Sequence, residues 1–177
     1  MLFRSGVIQT VAFRSYLSPD KNTAYNEASQ AVIREEAAEM GFEMPQGGQR
    51  AVFRQMQGMS EADQDAFMQQ YQAVQAAAET RMAEMEDMPE PVSVGDLVDH
   101  IDYLVELIGL EHVGISSDFD GGGGVTGWND ASETFNVTLE LVRRGYTEEE
   151  IGLLWSGNLL RVLDEVQAVA AEMQAAG

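Results

Sequence analysis

Apolar residues recur every three or four positions along most of this chain, and two short runs break that rhythm: VIQTVAF at 7–13 and the stretch 111–117. Each reads as a buried strand. After SPDKN the helical period returns over about 23–40, with Tyr25, Ala28, Val32 and Met40 on one side. MPQGGQ is a loop, and a short helix starts near Gln49. Ser60 is placed to cap a longer helix on which Phe67, Tyr71, Val74, Ala78, Met82 and Met85 step by three and four residues. EDMPEPV is the clearest linker. Ser93 then caps a helix whose stripe is Leu97, Ile101, Leu104 and Ile108, closed by Gly109. Beyond the second strand, a helix over about 132–144 ends at Gly145, with Arg143 and Arg144 at its negative end. Thr147 and Glu150 form a capping box. A last helix over about 157–174 puts Leu159, Leu163, Val166 and Val169 on its apolar side. No internal repeat is visible.

This inventory is short of strands. Two parallel strands buried on both faces need sheet neighbours, and a two-stranded parallel sheet is not stable alone. The pattern therefore predicts an α/β chain that is part of a larger sheet.

Composition narrows the function classes. The 177 residues carry 30 acids against 10 bases, a formal net charge of −20. A surface that acidic repels phosphate backbones and anionic headgroups, which excludes nucleic acid or a membrane surface as the expected partner. With 45% hydrophobic and 8% aromatic residues, a packed core is within reach. Cysteine is absent, so disulfides, thiolate zinc sites and thiol nucleophiles are excluded. No apolar run approaches the roughly 20 residues that span a bilayer. GVIQTVAF is too short for a signal sequence, contains Gln9 and lacks a small-x-small cleavage site. Composition leaves the compartment open. Residues 1–5, MLFRS, match nothing that follows and read as an artefactual start.

The densest chemistry lies in HVGISSDFDGGGGVTGWND, residues 112–130. Asp118 ends the second strand, Asp120 follows it, and Gly121 to Gly124 let the backbone turn sharply. Ligands of parallel sheets and barrels sit beyond the carboxyl ends of the strands, so Asp118 would face such a mouth. An EF-hand reading fails, with Gly122 at the fifth position and Asn129 at the twelfth. A phosphate cradle is opposed by two carboxylates ahead of the glycines. Two readings remain: a catalytic or metal-facing carboxylate, or acids that cap loop amides while the glycines turn the chain. His100 on a helix and His112 at the start of a strand read as structural, neither forming an i, i+4 ligand pair. The methionines at 40, 44, 56, 59, 68, 82, 85 and 88 read as adaptable packing. Asn158 reads as a loop cap.

Three segments carry a resemblance. GVIQTVAFRSYLS, VDHIDYLVELIGLEHVGISSDFDGGGG and LVRRGYTEEEIGLLWSGNLLRVLDEV are similar to the last quarter to third of the renal (membrane) dipeptidase family of zinc peptidases, in a bacterial-type form. The likeness covers residues 6–18 and about 92–166. The segment from about 20 to 90 has no motif of the family and corresponds by position to a variable helical insertion. The resemblance implies a (β/α)8 TIM barrel with two zinc ions at the carboxyl ends of its strands, hydrolysing dipeptides through a metal-bound hydroxide. Residues 7–13 would be the seventh barrel strand and 111–117 the eighth, within one domain over 6–177. Asp118 matches the family's active-site aspartate, which faces substrate and handles a proton. Tyr16 matches a tyrosine of the substrate pocket. The family's zinc ligands, a His-x-Asp pair, a Glu and two His, lie upstream of its seventh strand, and no metal ligand is assigned here. The resemblance thus implies a carboxyl-terminal fragment that binds no zinc tightly and is inactive alone. It also implies a dipeptide substrate and a possible homodimer for the whole protein. Two other readings stay open: another metal-dependent hydrolase on the same barrel, and a non-catalytic helical protein that binds a partner through the Met-rich segment.

Overall fold

The computed structural model describes residues 6–45 and 47–176; the presumed artefactual start lies outside them. Strand β1 (Ile8–Val11) leads through one helical turn, α1 (Arg14–Leu17), into α2 (Pro19–Glu39), α3 (Gly48–Met56) and α4 (Glu61–Glu84). Helix α5 (Val94–Ile108) leads to β2 (Val113–Ser116), and α6 (Phe135–Arg143), α7 (Glu148–Gly152) and α8 (Asn158–Ala176) follow. A π-helical turn, Leu153–Gly157, joins α7 to α8. The chain divides into two units, one of residues up to Asn22 with Pro91 onwards, the other Thr23–Glu90.

The first unit contains the sheet. β1 and β2 pair in parallel, from Ile8 opposite Val113 to Val11 opposite Ser116. They are the only two sheet strands among the described residues. Both are shorter than the apolar runs suggest. Leu110–His112 winds into a 3-10 turn after Gly109, with the His112 amide donating to Gly109 O (3.1 Å). At the other end Phe13 keeps only an isolated bridge to Gly124. The core gathers Leu97, Val98 and Ile101 of α5, Val113 and Ile115 of β2, and Val137 and Leu141 of α6. Inside it the Thr10 hydroxyl donates to Gly114 O (2.7 Å), a bond across the strand pair.

Helix α5 begins as its sequence indicates. Asp96 accepts from the Ser93 amide (2.7 Å) and hydroxyl (2.9 Å), a capping box, and Lys21 Nζ reaches the same carboxylate at 3.0 Å. Burial alone would raise the Asp96 pKa, but the bonds from Ser93 and Lys21 outweigh it and hold the group below the usual carboxylate range. Helix α6 starts three residues later than its pattern suggests, because Asp130 accepts from Ser132 N (2.8 Å) and sets a 3-10 turn first. Arg144 does more than neutralise the end of α6: it bonds Glu140 (3.0 Å), Asp99, Asp102 (2.8 Å) and Gly95 O (3.1 Å), tying α6 to α5.

The second unit packs α2 against α4. Val32, Ile33 and Ala37 meet Val74 and Ala78, with Met82 and Met85 at the margin. The α4 stripe matches its sequence period, and Ser60 caps it by accepting from Asp63 N (3.3 Å). The α2 stripe is rotated from the sequence reading: Ser29, Val32, Ile33 and Ala37 are buried, while Met40 is exposed. Arg81 bridges the helices through Glu35 (2.7 Å) and Glu36 (2.9 Å). The α8 stripe is left uncovered, since Leu159, Leu163, Val166 and Val169 are all exposed. Among the described residues the helix is anchored through its first turn, by Asn158 and Arg161 beside the amino end of β2. No helix among the described residues is long and apolar enough to cross a membrane.

Candidate functional site

Parallel pairing in register brings the carboxyl ends of β1 and β2 to the same end of the sheet, so the residues after Val11 and after Ser116 line one mouth. Asp118 sits there in the left-handed region, φ 56° and ψ 36°, as the sole non-glycine among the described residues with positive φ. Aspartate tolerates that geometry better than most residues. The Asp118 carbonyl explains the turn: it accepts from Gly121 N (3.0 Å) and Gly123 N (2.7 Å). Gly124 N then donates to Ala12 O (2.7 Å), pinning the loop to the end of β1.

The glycines serve close approach as much as flexibility. A Cβ on Gly123 would collide with Ser117 O and come 2.7 Å from Asp118 O. One on Gly121 would fall 2.7 Å from the Asp118 carboxyl carbon. The carboxylate therefore lies over Gly121, exposed, with no hydrogen bond or ion pair to any described residue. Of the two readings left by the sequence, this geometry does not match the loop-cap one for Asp118, since its backbone carbonyl, not its side chain, holds the loop. Asp120 is likewise exposed within a 3-10 turn.

Tyr16, on α1, is 69% exposed and stacks on Phe13 (centroids 4.8 Å, 26° between planes). The Phe13 ring in turn lies 3.4 Å from the Cβ position of Gly122. Tyr16 and the acidic loop thus belong to the same mouth, with Phe13 between them. Phe13 escaped sequence reading because it sits inside an apolar run. Arg14 was also missed: its Nη2 donates to Asn129 Oδ1 (3.0 Å), and Asn129 donates to Glu133 through its amide N (2.6 Å) and Nδ2 (3.2 Å). Deeper in the loop Trp128 is buried, edge-on to Phe119 (5.3 Å) and Trp155 (5.8 Å), with Nε1 donating to Thr134 Oγ1 (3.1 Å). Backbone bonds fix the mouth to β1, and an aromatic cluster supports it from below.

Other candidates lie elsewhere. His112 Nδ1 is 2.9 Å from Gly6 O at the opposite end of the sheet, and His100 on α5 faces Tyr103 (6.4 Å). Asn158 is buried and donates to Leu110 O (2.7 Å) and Val113 O (2.9 Å), the loop-capping role read from sequence. In the second unit a cavity of about 620 Å³ is lined by Ile33, Arg34, Phe42, Met44 and Tyr71 among others. Among the described residues no three His, Cys, Asp or Glu side chains gather as a metal site. A dinuclear zinc centre does not fit the donors that the described residues bring together.

A parallel strand pair that presents a carboxylate and an aromatic ring beyond its carboxyl ends is the arrangement of α/β proteins with a strand-end site. The family described as Membrane dipeptidase (Peptidase family M19) matches residues 3–177, and the chain belongs to it. Curated relatives include the dipeptidase ataJ of Aspergillus terreus, 46% identical over 82 residues, and the dipeptidase aclJ of Aspergillus oryzae, 40% identical over 85. These matches take in 46% and 48% of this chain but 20% of each relative, so the chain spans about a fifth of their length. The crystal structure of the probable dipeptidase PvdM from Pseudomonas aeruginosa is similar over 93% of this chain and 38% of that one, with a TM-score of 0.53 and 36% identity.

Proposed function

We propose that residues 6–177 are the carboxyl-terminal part of a zinc dipeptidase, contributing the seventh and eighth strands of a (β/α)8 barrel and the active-site carboxylate Asp118. The observation that carries this reading is the placement of Asp118: exposed, without partners among the described residues, at the carboxyl end of a strand paired in register with the one preceding Tyr16. A carboxylate so placed can take a proton at the attack on a peptide bond and return it to the leaving amine, a role worth roughly 10²–10⁴ in rate. Tyr16 flanks the dipeptide, and its stack on Phe13 fixes where the hydroxyl stands. The two zinc ions of the resemblance, and the substrate-site arginine, would be held by polypeptide other than this chain, and the completed protein would act as a homodimer.

Two measurements test the proposal. Zinc titrated calorimetrically into the 177-residue chain should show no tight stoichiometric site; two tight sites overturn the fragment reading. In a protein completed by its upstream coding sequence, Asp118→Asn should lower kcat/KM for dipeptides by about 100-fold or more at unchanged fold stability. An active Asp118→Asn variant removes the catalytic assignment.

A further inference from the structure

The cavity of the second unit, about 620 Å³, has the size of a small-molecule site. Ile33, Arg34, Ala37 and Ala38 step along one face of α2 and form its first wall. Gly41, at φ 65°, then reverses the chain, and the Phe42 amide donates to Ala37 O (2.8 Å). That helix end brings residues 42–45 round to line the same cavity. Val52 of α3 with Tyr71 and Gln75 of α4 complete the lining. The floor is apolar: Ile33, Ala37 and Val52 are buried, and the Phe42 ring packs on Phe67 at 5.3 Å.

Two groups of opposite charge border this cavity, Arg34 and Glu43. They bond neither each other nor any other described residue. Arg81 of the same unit behaves differently: it takes Glu35 (2.7 Å) and Glu36 (2.9 Å), the two acids that follow Arg34 in sequence. Arg34 is thus left without a carboxylate on a chain of thirty acids. The two charges discriminate between ligand classes. An apolar anion would satisfy Arg34 and be repelled by Glu43, and an apolar amine would do the reverse. A neutral molecule would leave both unmatched. A ligand with an ammonium and a carboxylate beside an apolar side chain matches both charges and covers the floor.

We propose that this cavity binds a small apolar zwitterion, a hydrophobic α-amino acid or a dipeptide of such residues. Its carboxylate would meet Arg34, its ammonium Glu43, and its side chain the floor of Ile33 and Phe42. The Tyr71 hydroxyl and the Gln75 amide also line the cavity and hydrogen-bond no described residue, which leaves them for the ligand's remaining polar atoms. All of these groups belong to the unit of residues 23–90, and none to the unit that carries Asp118. The proposal therefore does not rest on the dipeptidase reading.

Isothermal titration of the 177-residue chain with leucylphenylalanine and with phenylalanine tests it. One saturable site is expected, and the tighter probe tells dipeptide from free amino acid. Arg34→Gln and Glu43→Gln should each weaken binding by about tenfold with unchanged circular dichroism, because both side chains are exposed and bond nothing in the unit. Blocked probes assign the two ends: the N-acetyl dipeptide should respond to Arg34→Gln alone, and the dipeptide amide to Glu43→Gln alone. Ala38→Trp, at an exposed position of the same wall, should exclude every probe. Absence of saturable binding overturns the proposal, as does binding indifferent to all three substitutions. Binding lost on Asp118→Asn belongs to the strand-end mouth and equally overturns it; binding that survives Asp118→Asn supports it whether or not the completed protein hydrolyses dipeptides. Binding lost once the upstream polypeptide is joined to the chain assigns the cavity to that polypeptide, and overturns it too.

Discussion

At the scale of single residues, the turn at 117–124 asks for different things from neighbouring positions. Gly123 is required by contact, since any Cβ there meets the backbone oxygens of Ser117 and Asp118. Gly123→Ala should therefore destabilise the unit by about 2 kcal/mol, read as a lower denaturant midpoint at constant slope. Gly152 on α7 is the contrasting case, with helical backbone and nothing within 4 Å of its Cβ position. Gly152→Ala should stabilise by about 0.5–1 kcal/mol in the same measurement. Asp118 needs a residue that accepts positive φ. Asp118→Asn should leave the melting temperature unchanged, while Asp118→Val should lower stability by about 1–2 kcal/mol. That contrast separates loss of chemistry from loss of fold when the Asn variant is assayed.

At the scale of elements, what was legible in the sequence is what local chemistry decides. Ser93 with Asp96 and Thr147 with Glu150 are capping boxes whose geometry needs only residues three apart, and both form. The α4 stripe is legible because one face meets one neighbour. The α2 stripe was misread, and the exposure of the α8 stripe was not legible, because periodicity shows that a helix has an apolar side but not what covers it. Arg144 was foreseen only at the end of α6, since its partners Asp99 and Asp102 lie more than forty residues away. The π-helical turn before Asn158 left no sequence signal, yet it sets where that side chain enters the sheet. Asp118 and Tyr16 were singled out from strand ends and resemblance, and the parallel pairing places both after the carboxyl ends of the two strands; Phe13 and Arg14 become visible only once the strands are paired. The α5 box also gives a graded test. Ser93→Ala should cost about 1 kcal/mol in thermal unfolding. Asp96→Ala should cost more, because it removes the carboxylate that Lys21 Nζ and the Ser93 amide both bond.

At the scale of the whole molecule, charge decides how stability follows salt and pH. Thirty acids face ten bases, and much of the available cation is already engaged: Arg81 and Arg144 each hold three carboxylates. Salt therefore screens more repulsion than attraction, and the melting temperature should rise from low to about 0.5 M sodium chloride, against the fall expected of a fold held by ion pairs. The acid limb has the opposite sign below a threshold. Asp96 is depressed in the folded state, so its contribution is complete above its unfolded value of about 3.9 and is lost as pH falls through the lower folded value. As pH falls from 7 the net negative charge, and with it the self-repulsion, begins to decline before the Asp96 contribution is lost. Stability should accordingly peak on the acid side of neutrality and fall steeply below pH 4. In Asp96→Asn the steep part should flatten while the salt response persists, because the first is local and the second belongs to the net charge. Melting curves of both proteins across pH 3–8 at two salt concentrations separate the two causes, and a wild-type maximum at or above pH 7 would show that self-repulsion does not govern this fold.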